Sequence, residues 1–527
     1  MRPLAGSYAY DFESVSPLYA GDPRQPEAWR EAARRVREHP RPRREVADCM
    51  AAQQARRGAP AGSRESASRL GDPGSVAVVT GQQAGAFGGP LFTLLKALTC
   101  LQLARRAETT LGVPVVPLFW VDAEDHDWEE VASCTVLDER LHPHSVTLPR
   151  PQGAGELPIG SLRLPGGVAE TLAELETTLT PTDFTASVMA DLRAAYRQGA
   201  SMAEAFARWL EGLLGPHGLV VFDASDPAVK PLVADVFSKE LATVGRTAAL
   251  AAAAGKELAA RGHAPQVVPQ PDSLALFRLD GSRKPIRRQG DAFLAGDDSF
   301  TAAALAEDAA AHPEHFSPNV LLRPIVQDSL FPTICYVAGP SELAYLAQLH
   351  EVYAHFGLPM PLIHPRASAT LVDSATARFL NRYDVPFQDL QAQDESALNR
   401  LLQAQLPPTV ESAVKEAEEA VRRAMERVIE VVPAVDPTLA GAAGTTRGKI
   451  EHEIRALHGK LIQAAKKRDE TLRRQFTRAQ LQTFPQGHPQ ERTLAVVFFL
   501  NLYGPALIDR LLEELPLDLG THWVLSI

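Results

Sequence analysis

The densest set of residues able to do chemistry is "FWVDAEDHDWEE", residues 119–130, where Asp122, Glu124, Asp125, His126, Asp127, Glu129 and Glu130 place seven ionisable groups within nine positions. A histidine among carboxylates has its cationic form stabilised and its tautomer fixed, which suits proton transfer. His126, Asp125 and Glu124 are therefore the candidate catalytic groups. The same carboxylates could hold Mg²⁺ beside a nucleotide phosphate, with Asp122, Asp125 and Asp127 as the ligand candidates. The bland alternative is a solvated acidic loop that caps the helix after it.

A second set lies in "VVTGQQAGAFGGPLFTLLKAL", residues 78–98. Glycine lets the main chain take positive φ and approach a ligand closely, and proline suits a helix start. Thr80, Gly81, Gln82, Gln83, Gly85, Gly88, Gly89 and Pro90 are read as an anion- or substrate-binding turn, with Lys96 reaching back to it from the helix. The spacing matches neither a Walker nor a dinucleotide-binding fingerprint.

A third set comprises Asn319, Arg323, Gln327, Gly339, Pro340, Glu342 and Tyr345, joined by Arg366 and Ser368. Arg323 is expected either to pair with Asp328 or to clamp a substrate carboxylate in the bidentate geometry of guanidinium. Arg283, Lys284, Arg287 and Arg288 read as a solvated basic hairpin tip, with substrate capture as the alternative. His142, His144, His312, His315 and His350 have no ligand partner at useful spacing and read as structural.

The elements that must position these groups follow from apolar patterning. "SVAVVT" and "VPVVPLFWV" read as buried strands flanking a helix over 90–107, a unit that pairs its strands in parallel. "GLVVFDAS", a strand, Gly-Pro, helix junction within "NVLLRPIVQDSLFPTICYVAGPSEL", and "MPLIHPRAS" continue the alternation. The expectation is an α/β, doubly wound, Rossmann-like parallel core, in which ligands collect where strands end and helices begin. Helical segments over 1–70 read as surface helices, a helix is expected near 228–253, and "LALFRLDGSRKPIRR" reads as a hairpin turning at Asp280-Gly281.

Beyond residue 400 the pattern becomes heptad-like. Val410, Ala413, Ala417, Ala420, Ala424 and Val428, then Ile450, Ile454, Leu457, Leu461 and Ala464, alternate spacings of three and four. A Pro/Gly-rich break between the runs predicts an antiparallel helical hairpin, packed on its own domain or forming a dimer interface.

Composition excludes several classes. A net charge of −11 over 527 residues argues against a nucleic-acid partner. Cys49, Cys100, Cys134 and Cys335 form neither a CxxC pair nor a disulfide framework, which fits a reducing cytoplasm. No stretch approaches the about 18 uncharged apolar residues of a membrane span, and the first residues lack an apolar signal region.

"TGQQAGAFGGPLFTLLKA", "VPLFWVDAEDHDWEEV", "GLVVFDASD", "FSPNVLLRPIVQDSLFPTICYVAGPSELAYLAQLHEVYAHFGLPMPLIHPRAS" and "FPQGHPQERTLAVVFFLNLYGPALIDRLLEEL" occur in one order along nearly the whole chain. Together they resemble the bacillithiol biosynthesis cysteine-adding enzyme family, BshC. The resemblance implies a Rossmann-like core similar to nucleotidyltransferases and a C-terminal antiparallel coiled coil associated with homodimers. It also implies a cysteine ligase that joins L-cysteine to the amine of glucosaminyl-malate by an amide bond. Because amide formation from a free carboxylate is uphill in water, ATP and Mg²⁺ are expected. A metal-dependent phosphoesterase and a non-catalytic dimeric scaffold are the other readings. Phe92 stands where a tyrosine is usual in the family, which removes a hydroxyl there. The expected divisions are an N-terminal helical segment (1–70), core (71–137), insertion (138–216), core (217–255), a second insertion with the hairpin (256–315), core (316–400), coiled coil (401–484) and a helical segment packing back on the core (485–527).

Overall fold

The computed structural model describes residues 3–404, 408–468 and 470–527. The expected coiled coil at 405–407 and 469 lies outside the described residues. The chain divides into two compact units: one runs to Thr370 and includes Glu491–Val524, and the other is Leu371–Gln490 with Leu525–Ile527.

The first unit is built on a five-stranded sheet. Its strands are β1 (Val76–Gln83), β2 (Val115–Asp122), β3 (Val220–Asp223), β4 (Thr333–Ala338) and β5 (Leu362–Pro365). All neighbours are parallel, in the order β5-β4-β1-β2-β3. The strands are near-continuous apolar runs because both faces are covered, as parallel sheets require. One face, carrying Val76, Val78 and Val337, packs on Trp29, Ala32 and Val36 of α1 (Pro26–Glu38) and on Cys100, Leu103 and Ala107 of α2 (Leu91–Leu111). The other, carrying Ala77, Val79, Leu118 and Trp120, packs on Tyr8, Met50, Phe237 and Ile325.

The expected surface helices of the N-terminal segment are therefore a covering layer, held by the burial of Tyr8, Trp29 and Val36. The helix expected over 90–107 runs over Leu91–Leu111 with Pro90 as its N-cap. The one expected near 228–253 is broken into a 3-10 turn, Pro227–Val233, and two helices, Ala234–Ala242 and Arg246–Ala260, with Gly245 at φ +74° before the second. Between β2 and β3 the crossover ends in α3 (Met202–Leu214), whose Phe206 packs at a tilt against Phe119 of β2. A second sheet is antiparallel, and its first hairpin joins Ser273–Leu279 to Arg283–Gln289 across Asp280-Gly281. Strand order reverses between β1 and β4, which places a topological switch point at the carboxyl ends of those two strands.

In the second unit α4 (Pro408–Val431) and α5 (Leu439–Arg468) form an antiparallel hairpin. His458, late in α5, pairs with Glu411, early in α4, at 2.9 Å. The seam differs from the expected one by a residue. Ala413, Ala417, Ala420, Ala424 and Val428 are exposed, while Val410, Val414, Val421, Met425 and Ile429 are partly covered. The reason is area: β-branched and long side chains cover more apolar surface than alanine, so they take the inward row. In α5, Ile454 and Leu461 are partly covered, but Ile450, Leu457 and Ala464 are exposed.

Candidate functional site

The switch point opens into a cavity of about 730 Å³. The end of β1 contributes Gly81, Gln82 and Gln83; the end of β2 contributes Asp122, Glu124 and Asp125; the turn after β4 contributes Gly339, Pro340 and Glu342; and Arg366 follows β5. Phe277, Arg283, Pro318 and Asn319 close it from the antiparallel sheet, and Arg323, Tyr345 and Arg492 complete the wall.

Register explains the convergence. Gly81 lies opposite Trp120, and Gln83 opposite Asp122. A Cβ on Gly81 would come within 2.9 Å of the Trp120 carbonyl oxygen, so the close approach of β1 to β2 at the cavity floor requires glycine. Lys96, on the second turn of α2, is fully buried; its Nζ donates to the Gly81 carbonyl at 2.7 Å and to Gln82 Oε1 at 3.1 Å, and forms an ion pair with Glu342. Glu342 also accepts from the Gly339 amide at 2.6 Å and from the Tyr336 hydroxyl at 2.7 Å. Burial opposes its ionisation, yet Lys96 and these donors hold its carboxyl below the usual range. The pair fixes the start of the helix after β4 against α2.

Arg323 donates to Gln327 Oε1 at 3.2 Å and to the Tyr345 hydroxyl at 2.8 Å, and its Nε lies 3.9 Å from Asp122 Oδ2. The expected pairing with Asp328 is absent. Asp328 accepts instead from Gln327 and from Tyr353, behind the wall. Desolvation pushes the Asp122 carboxyl up against the opposing pull of Arg323 and Arg283. Burial likewise raises Glu124, whose partner is Lys230, and lifts the Tyr345 hydroxyl to about 12. The cavity thus sets a carboxyl with raised proton affinity beside a guanidinium that holds charge. Trp120 also lines it, and among the described residues its indole Nε1 has no hydrogen-bond partner.

Residues 1–367 match the family described as "Bacillithiol biosynthesis BshC, N-terminal Rossmann-like domain", and residues 369–527 match its C-terminal coiled-coil domain. The chain belongs to the BshC family. Its relatives include proteins named "Putative cysteine ligase BshC" from Salinibacter ruber, 37% identical over 99% of this chain and 95% of the relative, and from Chlorobaculum tepidum, 33% identical over 85% and 82%. A third, from Symbiobacterium thermophilum, is 33% identical over 98% and 95%.

Within this BshC fold the three sequence clusters are brought together only in part. Gly81, Gln82, Gln83, Lys96, Asp122, Glu124, Asp125, Asn319, Arg323, Gly339, Pro340, Glu342, Tyr345 and Arg366 all reach the cavity. Gly85, Gly88, Gly89 and Pro90 do not line it, and their turn is not an anion cradle. The Gly85, Gly88 and Gly89 amides donate to the Gln83 carbonyl, the Tyr196 hydroxyl and the Ala86 carbonyl. These glycines serve packing: Gly88, at φ +95°, faces Trp209 so closely that a Cβ would lie 2.2 Å from its ring. Thr80 is buried in the sheet and donates to the Val337 carbonyl. Gln327 stands behind Arg323, and Ser368 donates to Glu491.

His126 is also absent from the wall. Its Nδ1 lies 3.1 Å from Asp125 Oδ1, and its side chain is 42% exposed. Asp127 caps the short helix Trp128–Val131 by accepting from the Glu130 amide, so Asp122, Asp125 and Asp127 do not converge on one ion. The physical reason is mutual repulsion, which splays consecutive carboxylates toward separate partners. Arg366 lines the cavity, but Glu491 holds its guanidinium at 2.9 and 2.6 Å.

Arg283 follows the alternative reading of the basic hairpin rather than the favoured one. Rather than a solvated tip, it is pulled inward, stacked 3.7 Å over the Phe277 ring and bonded to Asp125 Oδ1, Ser317 Oγ and the Pro318 carbonyl. The signal was its place as the first residue of the return strand, opposite Leu279. Sequence reasoning missed Tyr336 and Arg492; the first reads as one more apolar strand residue, and the second sits in an unpatterned polar stretch.

Proposed function

We propose that this protein is a cysteine ligase of bacillithiol biosynthesis, joining the carboxyl group of L-cysteine to the amine of glucosaminyl-malate with ATP as activating co-substrate. The observation that carries the reading is the switch-point cavity, where Asp122, with its carboxyl raised by burial, shares a wall with Arg323 and Arg492. ATP would supply the leaving group that a free carboxylate lacks. The chain's own residues position the reactants and move the proton. Asp122 accepts a proton from the attacking amine, as a carboxylate whose proton affinity is raised by burial can. Arg323 and Arg492 hold substrate carboxylates, the malate moiety foremost.

Asp122 and Asp125 are the two expected magnesium ligands on the wall, and Asp125 is already engaged by Arg283. They do not make a protein cage, so Mg²⁺ fits here only as a companion of nucleotide phosphates, keeping most of its waters. The same divergence of carboxylates removes the support for a metal-dependent phosphoesterase. No helix among the described residues is long and apolar enough to cross a membrane. The reaction is assigned to the cytoplasm, whose reducing conditions suit the four free cysteines. We include a homodimer in the proposal, formed through the helical hairpin.

The test is incubation with labelled cysteine, glucosaminyl-malate and ATP, following amide product and nucleotide together. Product and spent nucleotide are expected in equal amounts, with His126→Ala retaining turnover and Asp122→Asn losing it. Product formed without nucleotide, or full turnover by Asp122→Asn, would overturn the assignment.

A further inference from the structure

We propose that His312, Glu314 and His315 form a binding site for one borderline divalent transition-metal ion, Zn²⁺ being the natural occupant, outside the cavity. Among the described residues they are the group of three potential ligands whose donor atoms all lie within 4.8 Å of one another. The geometry follows from local sequence. Pro313–His315 is a 3-10 turn with His312 as its N-cap. With three residues per turn, positions i and i+3 eclipse, so His312 and His315 stand side by side. Their rings stack with centroids 5.0 Å apart at 26°. Pro313 fixes its own φ and reduces the freedom the turn must lose to hold this arrangement.

A supporting shell is already in place. Asp308 Oδ1 lies 3.0 Å from His315 Nδ1, and Arg278 pairs with the same carboxylate. A carboxylate on one ring nitrogen fixes the tautomer that presents Nε2 as a lone-pair donor, the arrangement that orients metal-binding imidazoles. Glu314 Oε1 stands 3.3 Å from His312 Nδ1 and supplies the third donor. Two imidazoles and a carboxylate suit zinc in tetrahedral coordination with one position left to water. Sulfur is absent from the set, and the donors are too few and too nitrogen-rich for calcium.

The site's position gives it a consequence. The next residues, Phe316–Pro318, form a strand of the antiparallel sheet whose Ser317 Oγ and Pro318 carbonyl hold Arg283, and Pro318 and Asn319 line the cavity. An ion at 312–315 braces the segment that aims Arg283. The proposal is independent of the ligase reaction.

Untagged full-length protein, stripped with chelator and dialysed, is titrated with ZnCl₂ by calorimetry and with CoCl₂ by visible absorption. One zinc per chain is expected, with intense visible cobalt bands marking tetrahedral coordination. The double variant His312→Ala/His315→Ala should lose both signals, Glu314→Gln should weaken zinc, and Asp308→Asn should weaken it by ~10–100-fold while keeping the cobalt spectrum. Equal zinc uptake by wild type and double variant, or no uptake by wild type, overturns the site.

Discussion

Asp122 stands at the end of β2, where desolvation lifts its carboxyl pKa despite Arg323 and Arg283. A carboxyl raised in the folded state lowers stability at pH values above its folded pKa, because the fold disfavours the charged form relative to the unfolded chain. Asp122→Asn is therefore expected to unfold at the same or higher temperature than wild type at pH 7. Its advantage should shrink as pH falls through the raised folded pKa and vanish below the unfolded value of about 3.9. Turnover should move oppositely, falling by ~10²–10⁴-fold in the variant, and wild-type turnover should decline as acid protonates this group. Parallel thermal melts and rate–pH profiles check both signs; a variant that loses stability and activity together would mark Asp122 as structural. A second residue-scale outcome concerns Gly88. Placing a methyl at φ +95° against the Trp209 ring should cost about 1–3 kcal/mol, read as a lower denaturant midpoint for Gly88→Ala. If the turn were instead an open ligand cradle, that variant would unfold like wild type and lose only binding.

Elements are tied together at the cavity by buried charge pairs rather than by the turn's amides. Arg366, just after β5, and Glu491, at the start of the returning C-terminal segment, form a bidentate pair with side chains only 4% and 6% exposed. Ser368 and the Ala369 amide also donate to that carboxylate. Truncating one partner leaves a buried charge uncompensated, so Arg366→Met should destabilise by about 3–5 kcal/mol. Arg366→Met with Glu491→Leu should recover much of the loss; chemical denaturation of the two variants makes the comparison, and equal losses would refute the pairing as the cause. Arg366 shows what the sequence could and could not convey. The runs "SVAVVT" and "VPVVPLFWV" mark buried parallel strands because so short and continuous an apolar run needs cover on both faces, and their ends mark the cavity. Which side chains face that cavity depends on register and on distant partners. Arg366 and Arg323 reach it, but local carbonyls and Tyr196 consume the Gly85, Gly88 and Gly89 amides, and His126 turns outward. Arg283 departs from the favoured sequence reading because a basic hairpin looks solvated until Phe277 and Asp125 are known to lie beneath it. Heptad spacing reveals the hairpin, but alanine and β-branched rows one residue apart carry nearly the same periodicity, so the seam shifts.

For the whole molecule that shift bears on the proposed homodimer. The intramolecular seam is partly polar, with the Glu411–His458 pair alongside Val414, Met425 and Ile454. Much of the apolar material is left outside it: Val428, Val431, Val435 and Leu439 around the bend are 40%, 64%, 85% and 43% exposed, and Ile450 and Leu457 are 37% and 55% exposed. Large apolar side chains gathered on one element mark an association surface. In the homodimer proposed above, a second copy of the chain would cover that surface by two-fold symmetry, each hairpin over the other's row. Sedimentation of the wild type should give twice the chain mass of 57.0 kDa, and Val431→Glu with Leu457→Glu should give the monomer. Because neither side chain forms the intramolecular seam, helical circular dichroism should be preserved in that variant. Loss of helicity along with the dimer would mean the substitutions melted the hairpin, and a dimer unaffected by both charges would place the contact elsewhere on the surface.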